Sequence, residues 1–286
     1  MLPAWFLLAS VDMTAWGVGQ VFVKRATDRL GAVTMVLFVT LVDGTLYVTA
    51  FLVAGQPLAA SLETYAFAAG AAAVGIVGYV LYFEALLRGN VSVVATITAG
   101  SPIITILGAV AFLGEVPSVA QAVGMALLVA VILILSYEPV GKDWKVPVAV
   151  TLSIAILILW GIWGILTKVA VDAPGFGPWQ LLLFYGLSNF TAGVPYYLWR
   201  RKRFPPPNPS RGAYALGAGG FLLMMMAIVA STVALSIQDA SLVTAVGGCA
   251  PVVTSLVAFA FLKEKVTPLR ALAVLLFIPG ILLVAF

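Results

Sequence analysis

The chain has 286 residues, of which 63% are hydrophobic and only 9% are charged, and its formal net charge is +4. A soluble domain of this size could not cover its surface with so few charges, so the composition excludes a water-soluble protein. Apolar segments occupy nearly the whole chain, which leaves no soluble domain for binding a nucleotide or a nucleic acid.

Ten apolar segments are long enough to cross the hydrocarbon core of a bilayer, which takes roughly 20 residues in a helix. Their approximate limits are 3–23, 32–54, 65–87, 91–113, 118–136, 147–168, 178–199, 213–236, 240–262 and 267–286. The first is longer than the apolar part of a signal peptide and has no small-residue cleavage site, so we expect it to be retained. The sequence therefore predicts an all-α membrane protein with ten transmembrane helices.

The second half of the sequence repeats the first. Trp16-Gly17 recurs as Trp160-Gly161 at a shift of 144 residues. Towards the end of each half the shift is a constant 149 residues, as at Ser92 and Ser241, Pro102 and Pro251, and Glu115 and Glu264. We predict two five-helix repeats, residues 1–137 and 147–286, joined by a loop over 138–146.

The number of helices in each repeat sets the relative orientation of the two copies. Because five is odd, the copies should lie inverted across the membrane, an arrangement typical of transporters that work by alternating access. The loops after odd-numbered helices hold fourteen of the 15 Lys and Arg residues, and Lys168 is the exception. The positive-inside rule then predicts cytoplasmic odd-numbered loops, with both termini outside.

Pro102 and Pro251 fall at the centres of the predicted helices four and nine. Each proline lacks a backbone N–H and crowds the carbonyl group four residues earlier, at Thr98 and Gly247. A freed carbonyl at membrane depth must be covered by protein or by water. The two prolines therefore predict helix kinks, either beside a central cavity or as ordinary packing features.

Asp12 and Asp43 each fall at the midpoint of a predicted span. A charge at that depth costs roughly 2.5–3.5 kcal/mol, so both side chains should face the bundle interior or water. Asp12, Trp16 and Gln20 are spaced four residues apart on one stripe, and a cation facing the Trp16 ring would gain about 2 kcal/mol. Each carboxylate either binds a proton, a sodium ion or a cationic substrate group, or only fixes helix packing.

Several other polar or aromatic side chains at mid-membrane positions are candidates for lining the same cavity. They are Tyr79, Tyr82, Thr96, Thr98, Ser101, Trp160, Trp163, Tyr185, Asn189 and Thr244. For the aromatic residues the alternative is ordinary packing between helices.

Charged residues near the helix ends are predicted to be structural. Glu84 can pair with Arg88 one turn later. Lys24 and Lys168 are expected to reach the lipid headgroups. The cations over 200–203 predict a cytoplasmic anchor for helix seven, with a lipid- or partner-binding patch as the alternative.

The sequence lacks the residues that several kinds of chemistry require. It contains no histidine, and its one cysteine, Cys249, lies inside a span, which excludes a His/Cys metal cluster, an intrachain disulfide and histidine-based catalysis. No phosphate-binding glycine loop is present. We therefore predict neither an enzyme nor a cofactor. The absence of basic residues at mid-membrane disfavours a strongly anionic substrate.

The paired Trp-Gly motifs and the matching stretches 85–115 and 234–264 resemble the drug/metabolite transporter superfamily, specifically its ten-helix EamA-type members. The resemblance extends over essentially the whole chain. It implies transport of small metabolites through a central cavity, with both termini in the cytoplasm. The distribution of Lys and Arg predicts the opposite orientation. The residues that it places at the cavity are Asp12, Trp16, Tyr79, Tyr82, Trp160 and Trp163.

The sequence thus predicts a secondary active transporter of a small organic solute in the cell membrane. We expect an amino acid, an amine or a similar aromatic or cationic substrate, with coupling to a proton or sodium. An uncoupled facilitator or exchanger, and a structural membrane protein without transport, are the alternatives. Membrane lipids are the other expected partners, and the protein is expected to be a monomer or a homodimer.

Overall fold

The computed structural model describes residues 2–88, 91–136, 148–262 and 268–285, and within these ranges it contains helices and no strand. The predicted loop 138–146 and Glu264 lie outside the described residues. The helices are α1 (Ala4–Phe38), α2 (Gly44–Ala54), α3 (Leu62–Leu86), α4 (Val91–Thr98), α5 (Ser101–Phe112), α6 (Val119–Ser136), α7 (Val148–Val171), α8 (Pro178–Arg200), α9 (Arg211–Leu235), α10 (Ala240–Gly247), α11 (Ala250–Leu262) and α12 (Pro268–Ala285). The all-α prediction is confirmed, and the bounds of α3, α8 and α9 fall within three residues of the predicted limits.

The length and composition of several helices suit a membrane. Five helical stretches are long and apolar enough to cross one: Ala4–Ala54, Leu62–Leu86, Val148–Val171, Arg211–Leu235 and Ala240–Val257. Shorter apolar helices cover Ser101–Phe112, Val119–Ile134 and Ala271–Ala285. The first stretch has 51 residues, more than twice the roughly 20 that one crossing needs.

That first stretch folds back on itself at Gly31. Gly31 has φ 76° and ψ 157°, a conformation that residues with a side chain rarely adopt. Val23 packs against Gly220 of α9, and Phe38 packs against Gly217 of the same helix. These two glycines are less than one helical turn apart. In a straight helix Val23 and Phe38 would be about 22 Å apart. Hence α1 contains two antiparallel segments, and the second continues through a π-helical turn (Val39–Asp43) into α2.

The helices that were predicted to kink at proline are instead interrupted. The predicted fourth helix ends at Thr98 and resumes at Ser101, and the ninth ends at Gly247 and resumes at Ala250. In each case the proline is the second residue of the new helix, where its missing N–H costs nothing. Each proline therefore marks a break between two helices rather than a bend within one continuous helix.

Most helices pack against helices of the other half of the chain. The first segment of α1 packs against α9 and α11, and α7 packs against α3 and α5. The pair α2 and α8 and the pair α6 and α12 complete the bundle. Each predicted repeat is therefore held in place by contacts with its counterpart.

Two reciprocal hydrogen bonds link the interrupted helices to the Trp-Gly motifs. The Thr105 hydroxyl donates to the carbonyl oxygen of Gly161 at 3.0 Å, and the Thr254 hydroxyl donates to that of Gly17, also at 3.0 Å. Each threonine lies three residues after its helix-breaking proline. The glycines let the helices approach closely, because a side chain there would collide with Ile104 or Val253.

Replacing either threonine by valine should have a similar cost, because each hydroxyl donates to a glycine carbonyl oxygen of the other half at 3.0 Å; Thr254 Oγ1 also lies 3.2 Å from the carbonyl oxygen of Ala250. We expect each of Thr105→Val and Thr254→Val to lower the free energy of unfolding by about 1 kcal/mol, measured by denaturant unfolding in detergent micelles. Thr191→Val is the matched control, since Thr191 is exposed and bonds within its own helix. A large cost for one variant and none for the other would contradict the equivalence.

Candidate functional site: a central cavity with one mouth

A cavity of about 690 Å³ runs through the middle of the bundle. It is lined by residues from α1 to α5, from the π-helical turn and from α7 to α11. Among the lining residues that the structure describes, Lys24, Arg25 and Asp28 are the exposed ones, and all three lie at the end of the first segment of α1. The cavity therefore opens at this end of the bundle, on the side of the cation-rich loops.

The structure brings the sequence-predicted site residues together in this one cavity, apart from Thr96, whose side chain lies outside the described part of the chain. The predicted binding residues that line it are Asp12, Trp16, Gln20, Asp43, Tyr79, Tyr82, Thr98, Ser101, Trp160, Trp163 and Asn189. The prolines Pro102 and Pro251 line it as well, as do the further candidates Tyr185 and Thr244. These residues come from nine separate helical elements, and they meet only because the two halves interlock.

Asp12 lies beside the interruption between α10 and α11. Its carboxylate packs against Gly247, the last residue of α10, where any side chain would collide with it. Ser231 of α9 lines the same part of the cavity and is its polar neighbour. Asp12 is partly accessible to the cavity, with Trp16 and Gln20 on the same stripe of α1. It has no cationic partner among the described residues.

Asp43 is more deeply buried, with only 2% of its surface exposed. It is the last residue of the π-helical turn, and the phenol groups of Tyr47 and Tyr79 lie within range of its charge. Its Oδ1 atom has no hydrogen-bond partner within the part of the chain that the structure describes. Asp43, like Asp12, therefore lines the cavity without a compensating positive charge.

The aromatic residues both pack together and line the cavity, so the two interpretations of them do not exclude each other. The Trp160 ring lies 5.5 Å from Tyr79 and 5.6 Å from Tyr82, measured between ring centroids. Trp163 lies 6.0 Å from Tyr185, whose hydroxyl group is 2.6 Å from Thr167 Oγ1. Such rings present π faces and hydroxyl groups to a bound organic cation.

Two of the predicted polar residues already have hydrogen bonds within the protein. The Thr98 hydroxyl donates to the carbonyl oxygen of Val94 in its own helix at 2.9 Å. The Asn189 side-chain amide donates to the carbonyl oxygen of Val39 at 3.2 Å. Asn189 therefore holds α8 against the π-helical turn, which leaves less of its side chain to bind a ligand.

Sequence reasoning missed several lining residues, namely Thr105, Ser231 and Thr254, together with the charged residues of the mouth. A signal for two of them was present. Thr105 and Thr254 occupy the same position in the two repeats, three residues after each proline. Ser231 has no such signal, because a serine in an apolar helix bonds to its own backbone as readily as it faces a cavity.

The end of the bundle opposite the mouth is closed by contacts between loops and helix ends. Glu115 accepts hydrogen bonds from the backbone N–H groups of Ala240 at 2.7 Å and Ser241 at 2.9 Å, at the start of α10. Lys168 donates to Asp172 at 2.8 Å and to the carbonyl oxygen of Leu235 at 2.9 Å. The prediction that Lys168 reaches the headgroups was therefore wrong, because two acceptors hold it within the protein.

Glu115→Gln should destabilise this closed end. The amide nitrogen of glutamine cannot accept a hydrogen bond, so one backbone N–H at the start of α10 loses its partner and the favourable charge at a helix N-terminus disappears. We expect a loss of about 1–3 kcal/mol in the free energy of unfolding, measured in detergent micelles. Glu63→Gln is the control, since Glu63 is exposed. Equal stability of the two variants would contradict the capping role.

A buried ion-pair cluster lies near the mouth. Arg200 donates from Nε to Glu84 Oε1 at 2.8 Å and from Nη2 to Glu84 Oε2 at 3.0 Å, and the Tyr196 hydroxyl donates to Oε1 at 2.6 Å. Arg88 pairs with the same carboxylate from the exposed side, as predicted. Arg200 also lies 4.9 Å from the Trp199 ring centroid. Of the four cations predicted to anchor this helix, Arg200 is the buried last residue of α8, and Arg201, Lys202 and Arg203 are exposed.

These features define a multi-pass helical membrane protein with a cavity that opens at one end. The sequence profile of the EamA-like transporter family matches residues 3–137 and, a second time, residues 147–286. The chain therefore belongs to the EamA-like transporter family, within the drug/metabolite transporter superfamily, and is a membrane transporter of small solutes. The family assignment that the resemblance implied is confirmed.

The solved structures agree on the fold. One crystal structure matches with a TM-score of 0.78 and 16% sequence identity, covering 99% of this chain and 96% of its own. At that identity the likeness shows the fold alone. No curated protein is similar enough to the chain to count as a match.

Proposed function

We propose that this protein is a secondary active transporter of a small cationic, zwitterionic or aromatic organic solute, such as an amino acid or an amine. The observation that carries the proposal is a pair of cavity-lining carboxylates, Asp12 and Asp43, without a cationic partner among the described residues. An uncompensated negative charge away from water attracts a cation or a proton. The aromatic walls favour the same class of ligand.

The transport cycle that we propose is alternating access by two inverted five-helix repeats, residues 1–137 and 147–286, with ten spans in all. Its support is the reciprocity of the contacts between the halves, such as those of Thr105 and Thr254. A cavity that opens at one end corresponds to one state of such a cycle. If each repeat adopted the conformation that the other has in this state, the cavity would open at the opposite end.

Coupling to a proton or sodium is part of the proposal, and Asp12 is the first candidate for binding the substrate cation. Catalysis is not part of it, because the sequence has no histidine and no nucleophile paired with a base. We place the protein in the cell membrane, as a monomer or a homodimer. An uncoupled facilitator is the alternative, and counterflow without an imposed ion gradient distinguishes it.

A thermal-shift screen with the purified protein tests the proposal. Amino acids, amines and nucleosides are added at two pH values, and a ligand at 100 times its Kd should stabilise the fold by about 2.7 kcal/mol. Uptake of each stabilising compound into proteoliposomes then tests transport. A protein that no compound stabilises and that accumulates none of them would be structural rather than a transporter.

A further inference from the structure

The π-helical turn at Val39–Asp43 places one carboxyl group in an unusual environment. π-Helical turns are rare and are frequently found at functional sites. Asp43 is the last residue of this turn, is 2% exposed and lines the cavity. Its Oδ1 has no hydrogen-bond partner among the described residues. The fold therefore holds a buried, unpartnered carboxyl oxygen at the wall of a solvent-connected cavity.

The groups around Asp43 determine which ligand it can hold. Tyr47 of α2 and Tyr79 of α3 lie within range of its charge, Tyr185 of α8 packs against Tyr47 with the ring centroids 6.1 Å apart, and none of the three is cationic. From α1 the titratable residue at mid-cavity is Asp12, which is also acidic, and the cavity-lining residues of α9 do not titrate. The positive charges of the cavity, Lys24 and Arg25, lie at its mouth. Within the part of the chain that the structure describes, Asp43 therefore has neutral or acidic neighbours and no cationic one.

A proton fits this environment better than a metal ion does. Hard cations such as Ca²⁺ and Mg²⁺ are bound by about six or more oxygen atoms. The described part of the chain contains no cluster of three acidic, histidine or cysteine side chains. A single carboxyl group without a hydrogen-bond partner for its Oδ1 can instead become neutral by taking up one proton, which removes the cost of burying its charge.

We propose that Asp43 is a proton-binding site, separate from the cation-binding carboxylate of Asp12, and that its proton exchanges with water in the cavity. The inference rests on the proposed function, because it assumes that this cavity is the transport pathway. A cation that enters the cavity stabilises the ionised carboxylate, so the neutral acid releases its proton to cavity water as the carboxylate forms. Loading of a cationic substrate is thereby linked to release of one proton.

Infrared spectroscopy of the purified protein tests this site without any substrate. At neutral pH the wild type should show the C=O stretching band of a protonated carboxyl group, and Asp43→Asn should lose that band. On dilution into D₂O the band should shift in the first spectrum recorded, because the carboxyl group lines a solvent-connected cavity. A carboxyl group sealed in the core would shift only over hours, at the rate of local unfolding.

The controls separate this site from the other acids. Asp28→Asn should leave the band unchanged, since Asp28 is exposed at the mouth. Asp12→Asn should keep the Asp43 band, and Asp43→Glu should show it at a displaced frequency. Superimposable spectra of the wild type and Asp43→Asn, or exchange only over hours, would overturn the proposal. Failure to find any transported solute would overturn the proposed function and leave this result intact.

Discussion

Replacing Asp12 by asparagine should weaken the binding of a cationic substrate about 10- to 100-fold, and it should flatten the pH dependence of transport. The expected factor corresponds to the roughly 1.5–3 kcal/mol that a hydrogen bond to a charged group contributes. Asparagine has nearly the same shape, so the contact with Gly247 and the neighbouring Ser231 is preserved. The measurement is uptake into proteoliposomes over a range of pH, with the compound that emerges from the thermal-shift screen.

Asp28→Asn is the matched control for this experiment. It makes the same chemical change at the mouth of the cavity, where water already screens the charge, so uptake should stay close to that of the wild type. The melting temperature of both variants should match the wild type, which separates loss of binding from loss of folding. Normal uptake by Asp12→Asn at every pH would show that this carboxylate does not bind the substrate.

The depth of a side chain in the membrane was predictable from the sequence, and depth was enough to find most of the site. Asp12, Asp43 and Trp160 were chosen because polar or aromatic groups at the middle of an apolar span rarely face lipid. All three line the cavity. The prolines added a second, independent signal, because helices interrupted at membrane depth need a covered surface.

The partner of each side chain was not predictable, because it depends on how the halves interlock. Glu84 and Arg200 are 116 residues apart, and Glu115 caps a helix that begins 125 residues later. Local spacing offered only Arg88 as a partner for Glu84, and it described Arg200 as one of a run of surface cations. Even a correct list of helices contains no information on which helix ends meet.

The two places where the backbone departs from a regular α-helix could not be predicted from the sequence pattern either. The prediction placed the end of the first helix at residue 23, whereas its first segment continues to the turn at Gly31. The π-helical turn at Val39–Asp43 has no composition signal, since it differs from the α-helix only by one extra residue per turn. Both departures are stabilised by tertiary contacts, such as the Asn189 amide on Val39.

The largest effect on stability is expected for Glu84→Ala. This change leaves the Arg200 guanidinium, whose side chain is only 8% exposed, without the carboxylate that accepts two of its hydrogen bonds. It also leaves the Tyr196 hydroxyl without its acceptor. Removing one partner of a buried ion pair costs about 3–5 kcal/mol. We expect a loss of this size in the free energy of unfolding in detergent micelles.

Arg88→Ala is the matched control, because Arg88 pairs with the same carboxylate from the exposed side. A pair of that kind contributes only about 0.2–1 kcal/mol. The double variant Glu84→Leu with Arg200→Met should recover much of the lost stability, since apolar residues of similar volume can replace a buried ion pair. If Glu84→Ala were no less stable than Arg88→Ala, the cluster would not hold α3 against α8. The end of the bundle beside the mouth would then have to be fixed by helix packing alone.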